Sequence, residues 1–174
     1  MAAEKTLIYF GPGRREPSAL IHQFTESHSL NLVSVGKVDE ISSLMNRSFP
    51  ACLVLDAQGE AGAALDVCRT VKGDAFTAIV PTVILAPSQD EDLAADALEA
   101  GADEVVTDAV SERERLLRME LVLHRAARDV SVHPSTRLPG TVQIDRDLME
   151  RMAEGFEFAV CYADLDHFKE FNDR

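Results

Sequence analysis

Five short apolar runs, each followed by a stretch of helical periodicity, constrain this chain more than any other feature. The runs are Thr6–Phe10 (TLIYF), Asn31–Val35 (NLVSV), Ala51–Leu55 (ACLVL), Pro81–Leu85 (PTVIL) and Glu104–Thr107 (EVVT). Most are apolar throughout and do not alternate with polar residues, as expected of strands covered on both faces. Between them Ser18–His28, Val38–Arg47, Ala63–Lys72 and Asp90–Ala100 carry apolar residues at helical spacing. Such βα units, joined by right-handed crossovers, predict an α/β fold: a doubly wound parallel sheet with helices on both faces. Gly101 supplies a stop for the fourth helix.

Ser111 opens a fifth helix, with Glu114 three residues on as a capping box. It runs to about Asp129 and carries Leu116, Leu117, Met119, Leu121, Val122 and Leu123. That is about five turns, more than a crossover needs. Its apolar residues fit either packing on the sheet or a coiled-coil-like connector that pairs two subunits. Pro134 and Pro139-Gly140 then interrupt the chain. These breaks divide it into residues 1–127, a linker over 128–140 and a second piece over 141–174.

The chain of 174 residues is 46% hydrophobic but 6% aromatic and without tryptophan, so Leu, Val, Ile and Ala must build the core. Its formal charge of −13, with no basic run, argues against nucleic-acid binding. No segment is long and apolar enough for a membrane span. Cys52, Cys68 and Cys161 are far apart with apolar neighbours, which reads as three buried, reduced thiols in a cytoplasmic protein.

Doubly wound sheets place their functional groups at the carboxyl ends of the strands, and there a family resemblance emerges. Cys68–Ala86 (CRTVKGDAFTAIVPTVILA), Gly101-Ala102-Asp103-Glu104 and the position of Asp56 after ACLVL resemble the receiver domains of response regulators over residues 5–127. The resemblance implies the flavodoxin-like strand order 2-1-3-4-5, with Asp56 at the phosphoacceptor position. It also implies an acidic pair after the first strand to hold Mg²⁺, a hydroxyl residue ending the fourth strand and a lysine ending the fifth.

This chain departs from that pattern. Phe10-Gly11-Pro12-Gly13 contains no carboxylate, Glu16 stands too far along to substitute, Ala86 replaces the hydroxyl residue and Asp108-Ala109 the Lys-Pro. An added phosphoryl group of about −1.5 to −2 charge would face Asp108 without metal or lysine. The expectation is therefore a degenerate receiver with no cofactor, in which Asp56 is not phosphorylated. Gly11-Pro12-Gly13 before Arg14-Arg15 reads as a β–α turn, with an anion-binding loop as the alternative.

The tail resembles a second family. His133–Gly140 (HPSTRLPG) and Phe156–Asp173 (FEFAVCYADLDHFKEFND) are similar to the entry, first strand and following helix of GGDEF domains, with Ile144–Met152 as the intervening helix. By that resemblance Asp164 and the backbone carbonyl of Leu165 would bind Mg²⁺, and Asn172 and Lys169 would contact GTP. Two carboxylates two residues apart at a strand end, Asp164 and Asp166, project to one side, as a hard cation requires. The matched stretch stops before the GGDEF loop, so the site is incomplete here. Mg²⁺ and GTP binding, and synthesis of cyclic di-GMP, are expected only of a longer parent.

The function expected is a degenerate receiver controlling a diguanylate cyclase-type output as a homodimer through its last helix. Two alternatives stand beside it: a non-catalytic interaction module with a degenerate GGDEF domain, and a phosphorylated regulator using Asp56.

Overall fold

The computed structural model describes residues 5–45, 49–74, 77–88 and 90–131, and beyond them 144, 148–149, 151–153, 155, 157–161 and 163. Contacts divide the chain into two units, Met1–Asp129 and Val130–Arg174.

In the first unit five strands form one parallel sheet: β1 (Thr6–Phe10), β2 (Asn31–Val35), β3 (Cys52–Asp56), β4 (Thr82–Ala86) and β5 (Glu104–Thr107). Their spatial order is β2-β1-β3-β4-β5. The third and fourth strands each begin and end one residue later than the apolar pattern suggests. The ladder explains this: Asp56 pairs with Leu85 and Ala86 with Thr107, so both are strand residues. The helices are α1 (Ala19–Ser27), α2 (Val38–Met45), α3 (Ala61–Gly73), α4 (Glu91–Glu99) and α5 (Glu112–Ser131).

Alternate strand residues face opposite sides of a sheet, and two cores result. Leu7, Tyr9, Val54, Val83, Leu85 and Val106 pack with Leu20, Ile21 and Phe24 of α1 and Met119 and Val122 of α5. Ile8, Phe10, Leu53, Leu55, Ile84 and Ala86 pack with residues of α2, α3 and α4. The central strand β3 is buried along its whole length, ending in Asp56 at 4% exposure. Ser111 caps α5 as its sequence implies, its Oγ accepting from the Glu114 amide at 3.2 Å. The Glu114 carboxylate turns instead to Arg118, at 2.9 Å.

The apolar residues of α5 divide by helical phase. Met119 and Val122 are buried and Leu116 and Leu123 half-buried against the sheet, while Leu117 and Leu121 are each 47% exposed. Among the described residues, no helix is long and apolar enough to cross a membrane.

In the second unit the described positions between 144 and 153 are helical, as expected. Residues 157–161 have no regular secondary structure, and Phe158, Val160 and Cys161 are exposed. The reading of Cys161 as a buried thiol is therefore corrected. An apolar run is covered only when neighbouring strands and a helix close over it, and no described residue does so here. Cys52 and Cys68 are buried as expected, and burial raises their thiols to about 12 and about 11. Asp164, Leu165, Lys169 and Asn172 lie outside the described residues.

Candidate functional site

The site lies at the carboxyl edge of the sheet, around Asp56. A buried carboxylate must be hydrogen-bonded or neutralised, and three groups meet this one. The Tyr9 hydroxyl donates to Oδ2 at 2.6 Å. Arg15 Nε lies 3.1 Å from the same oxygen. The Gln58 amide donates to Oδ1 at 2.8 Å, closing the turn after β3. Arg15 also donates through Nη2 to Gln58 Oε1 at 3.0 Å, so its guanidinium spans the carboxylate and the neighbouring loop.

The local sequence explains how Arg15 arrives there. Gly11 ends the pairing of β1, its amide donating to Val35 O at 3.0 Å. Pro12–Arg14 then form a 3₁₀ turn with Gly13 at φ +70°, in the left-handed region that glycine enters at low cost. The chain folds back so that the Arg15 amide donates to Gly11 O at 3.2 Å. A Cβ on Gly11 would collide with the Arg15 carbonyl oxygen and lie 2.9 Å from the Tyr9 ring. Glycine at position 11 is thus what lets the loop return over β3. The turn reading of Gly11-Pro12-Gly13 holds, and Arg15 meets a carboxylate of its own chain.

The other strand ends on this edge present Ala86 and Asp108. Ala86 is fully buried on the face covered by α3 and α4 and offers no hydroxyl. Asp108, just past β5, is exposed and accepts from the Ser88 amide at 2.6 Å, tying the β4–α4 loop to the end of β5. Hydrogen bonds from the Ser88 side chain and amide hold its carboxyl below the usual carboxylate range. Beside it a cleft of about 260 Å³ is lined by Ser18, Gln58, Thr107, Asp108 and Arg115. Acid and base share this cleft, so it does not concentrate positive charge. No cluster of three metal-ligating side chains occurs among the described residues.

Sequence reasoning located Asp56 but missed Tyr9 and the role of Arg15. A signal for Tyr9 existed. It is the one hydroxyl-bearing aromatic in an otherwise apolar strand run, and a buried phenol seeks a partner. Burial first, then the hydrogen bond to Asp56, push the Tyr9 phenol well above its ordinary value. A raised acid constant means the folded state holds the proton more tightly than the unfolded one. The stabilisation is complete below the ordinary tyrosine range near pH 10 and is lost as pH rises beyond it. The chain has two tyrosines. In an alkaline titration followed by phenolate absorbance, we expect Tyr9 to ionise only at the pH where the domain unfolds, and Tyr9→Phe to delete that step. Full ionisation of both tyrosines in the ordinary range, with the fold intact, would refute this.

Comparison with known proteins agrees with the fold of the first unit. No family model matches the chain. In sequence it is similar to the phosphate regulon transcriptional regulatory protein PhoB of Klebsiella pneumoniae, at 27% identity over 100 residues, 58% of this chain and 44% of that one. PhoB of Pseudomonas aeruginosa is 32% identical over 76 residues, 44% of this chain and 33% of that one. In structure it is similar to a response regulator from Thermotoga maritima, with a TM-score of 0.57 and 15% identity over 69% of this chain and 98% of that one. The first unit has the receiver fold. The chain spans less than half the length of the curated relatives it matches.

Proposed function

We propose that this receiver domain serves bacterial signal transduction without phosphorylation of Asp56, and that it regulates a GGDEF-type output through contacts between copies. The observation that carries the first part is the occupancy of the Asp56 carboxylate by Tyr9, Arg15 and Gln58, its own neighbours in the fold. Phosphoryl transfer requires positive charge on the transferring group and an open line of attack. Among the described residues, the cation in contact with Asp56 is Arg15, which is paired with the nucleophile itself. Ala86 and Asp108 supply neither hydroxyl nor positive charge to a phosphoryl group. The resemblance of the tail to GGDEF domains supports the second part, as does the half-exposed pair Leu117 and Leu121 on α5, one turn apart on one stripe. Cyclic di-GMP synthesis, with GTP and Mg²⁺, would belong to a longer parent.

Beryllofluoride with Mg²⁺, a mimic of the bound phosphoryl group, tests the reading. We expect no saturable change in the amide signals of Ala57, Gln58 and Ser88 on titration of the wild-type chain. A saturable change at these amides would restore the phosphorylated-regulator alternative.

A further inference from the structure

We propose that Arg15 is the resident cation of the Asp56 site, holding the place that a divalent metal ion takes in a receiver that uses one. This deepens the reading of Asp56 as an unphosphorylated position, and the starting point is a misfit. Magnesium prefers near-octahedral oxygen coordination, usually from carboxylates and retained waters. The residues at the end of β1, where metal-binding carboxylates would stand, are Phe10-Gly11-Pro12-Gly13, and among the described residues Asp56 joins no cluster of three metal-ligating side chains. A single carboxylate with retained waters holds a divalent ion weakly at most, and not while Arg15 stands against Oδ2.

A guanidinium fits the side chains present. Arg15 Nε pairs with Asp56 Oδ2 at 3.1 Å while Nη2 donates to Gln58 Oε1 at 3.0 Å, so the guanidinium spans both residues. The remaining Oδ1 is taken by the Gln58 amide, and Tyr9 of the neighbouring strand β1 donates to Oδ2. Because the cation is a side chain of the same fold, this neutralisation does not depend on metal concentration. Its delivery is built into the backbone: Gly11 permits the close return of Arg15, and the 3₁₀ turn at Pro12–Arg14 sets its length. The device has two consequences. It satisfies a carboxylate that is 4% exposed, and it excludes a second cation by charge repulsion and by occupying Oδ2.

Removing the positive charge should therefore create a cation site that the wild type lacks. The experiment is a titration of the full 174-residue chain with MgCl₂ alone, read from the amide signals of Gly11, Ala57 and Gln58. The wild type and Arg15→Lys, which keeps the charge, should show no saturable shifts at millimolar Mg²⁺. Arg15→Ala and Arg15→Gln should show them, and adding Asp56→Asn to either should abolish them. Two neutral variants are used so that misfolding of one, visible as lost signal dispersion, leaves the other to decide. Saturable shifts in the wild type equal to those in the neutral variants, or none in a folded neutral variant, overturn the proposal. The beryllofluoride titration of the wild type fails or succeeds separately, because it asks whether a phosphoryl mimic binds with Arg15 in place.

Discussion

Replacing Asp56 with alanine destabilises the domain by about 1–3 kcal/mol, the cost of leaving buried hydrogen-bonding groups without a partner. The sign is the informative part. In an acidic cluster, removing one carboxylate relieves repulsion between like charges and tends to stabilise the apo fold. Among the described residues Asp56 belongs to no cluster of three acidic or metal-ligating side chains, and the Glu16 charge acts on Tyr9 beside it. Asp56 accepts from the Tyr9 hydroxyl and the Gln58 amide and faces Arg15. After the substitution the Tyr9 hydroxyl, in a residue 1% exposed, loses its 2.6 Å acceptor. The Arg15 side chain, 45% exposed, returns partly to water, so its share of the loss is small. Urea unfolding at neutral pH, with an unchanged dependence on denaturant, measures the difference. An alanine variant more stable than the wild type would show that Asp56 is a strained charge and not a partnered one.

We expect Leu121→Glu to weaken the proposed self-association by about 2 kcal/mol per dimer, roughly thirtyfold. The estimate takes two copies of a leucine about half exposed in the single chain, each contributing ~1 kcal/mol on pairing. Leu121 and Leu117 are each 47% exposed and lie on the same stripe of α5, away from Met119 and Val122 in the core. The substitution should leave the unfolding midpoint of the monomer nearly unchanged, because surface changes away from packed features have small effects. Sedimentation equilibrium on wild type and variant reads both states. A wild type that remains monomeric at about 100 μM, where a dissociation constant of that order would already give dimer, would remove α5 as the pairing element.

The sequence determined the architecture because the responsible forces are local or periodic. Runs such as ACLVL and PTVIL, apolar on both faces, can be satisfied only inside a sheet covered on both sides. The helical stretches between them leave a parallel, doubly wound order as the consistent solution, and Asp56 was legible at its carboxyl edge for the same reason. The one-residue offsets at β3 and β4 arose because apolar character does not mark where ladder hydrogen bonds end. Asp56 is polar yet still pairs with Leu85.

Only the tertiary structure decided what Asp56 meets. Its contact with Tyr9 joins residues 47 positions apart, and its contact with Arg15 depends on a loop whose return is set by the space above Gly11. Neither distance is encoded by periodicity, since it follows from the register of β1 beside β3 and from backbone angles in the turn. The division of α5 into a buried stripe and the exposed pair Leu117 and Leu121 has the same origin. The apolar residues of that helix point in several directions, and the position of the sheet selects which of them are buried.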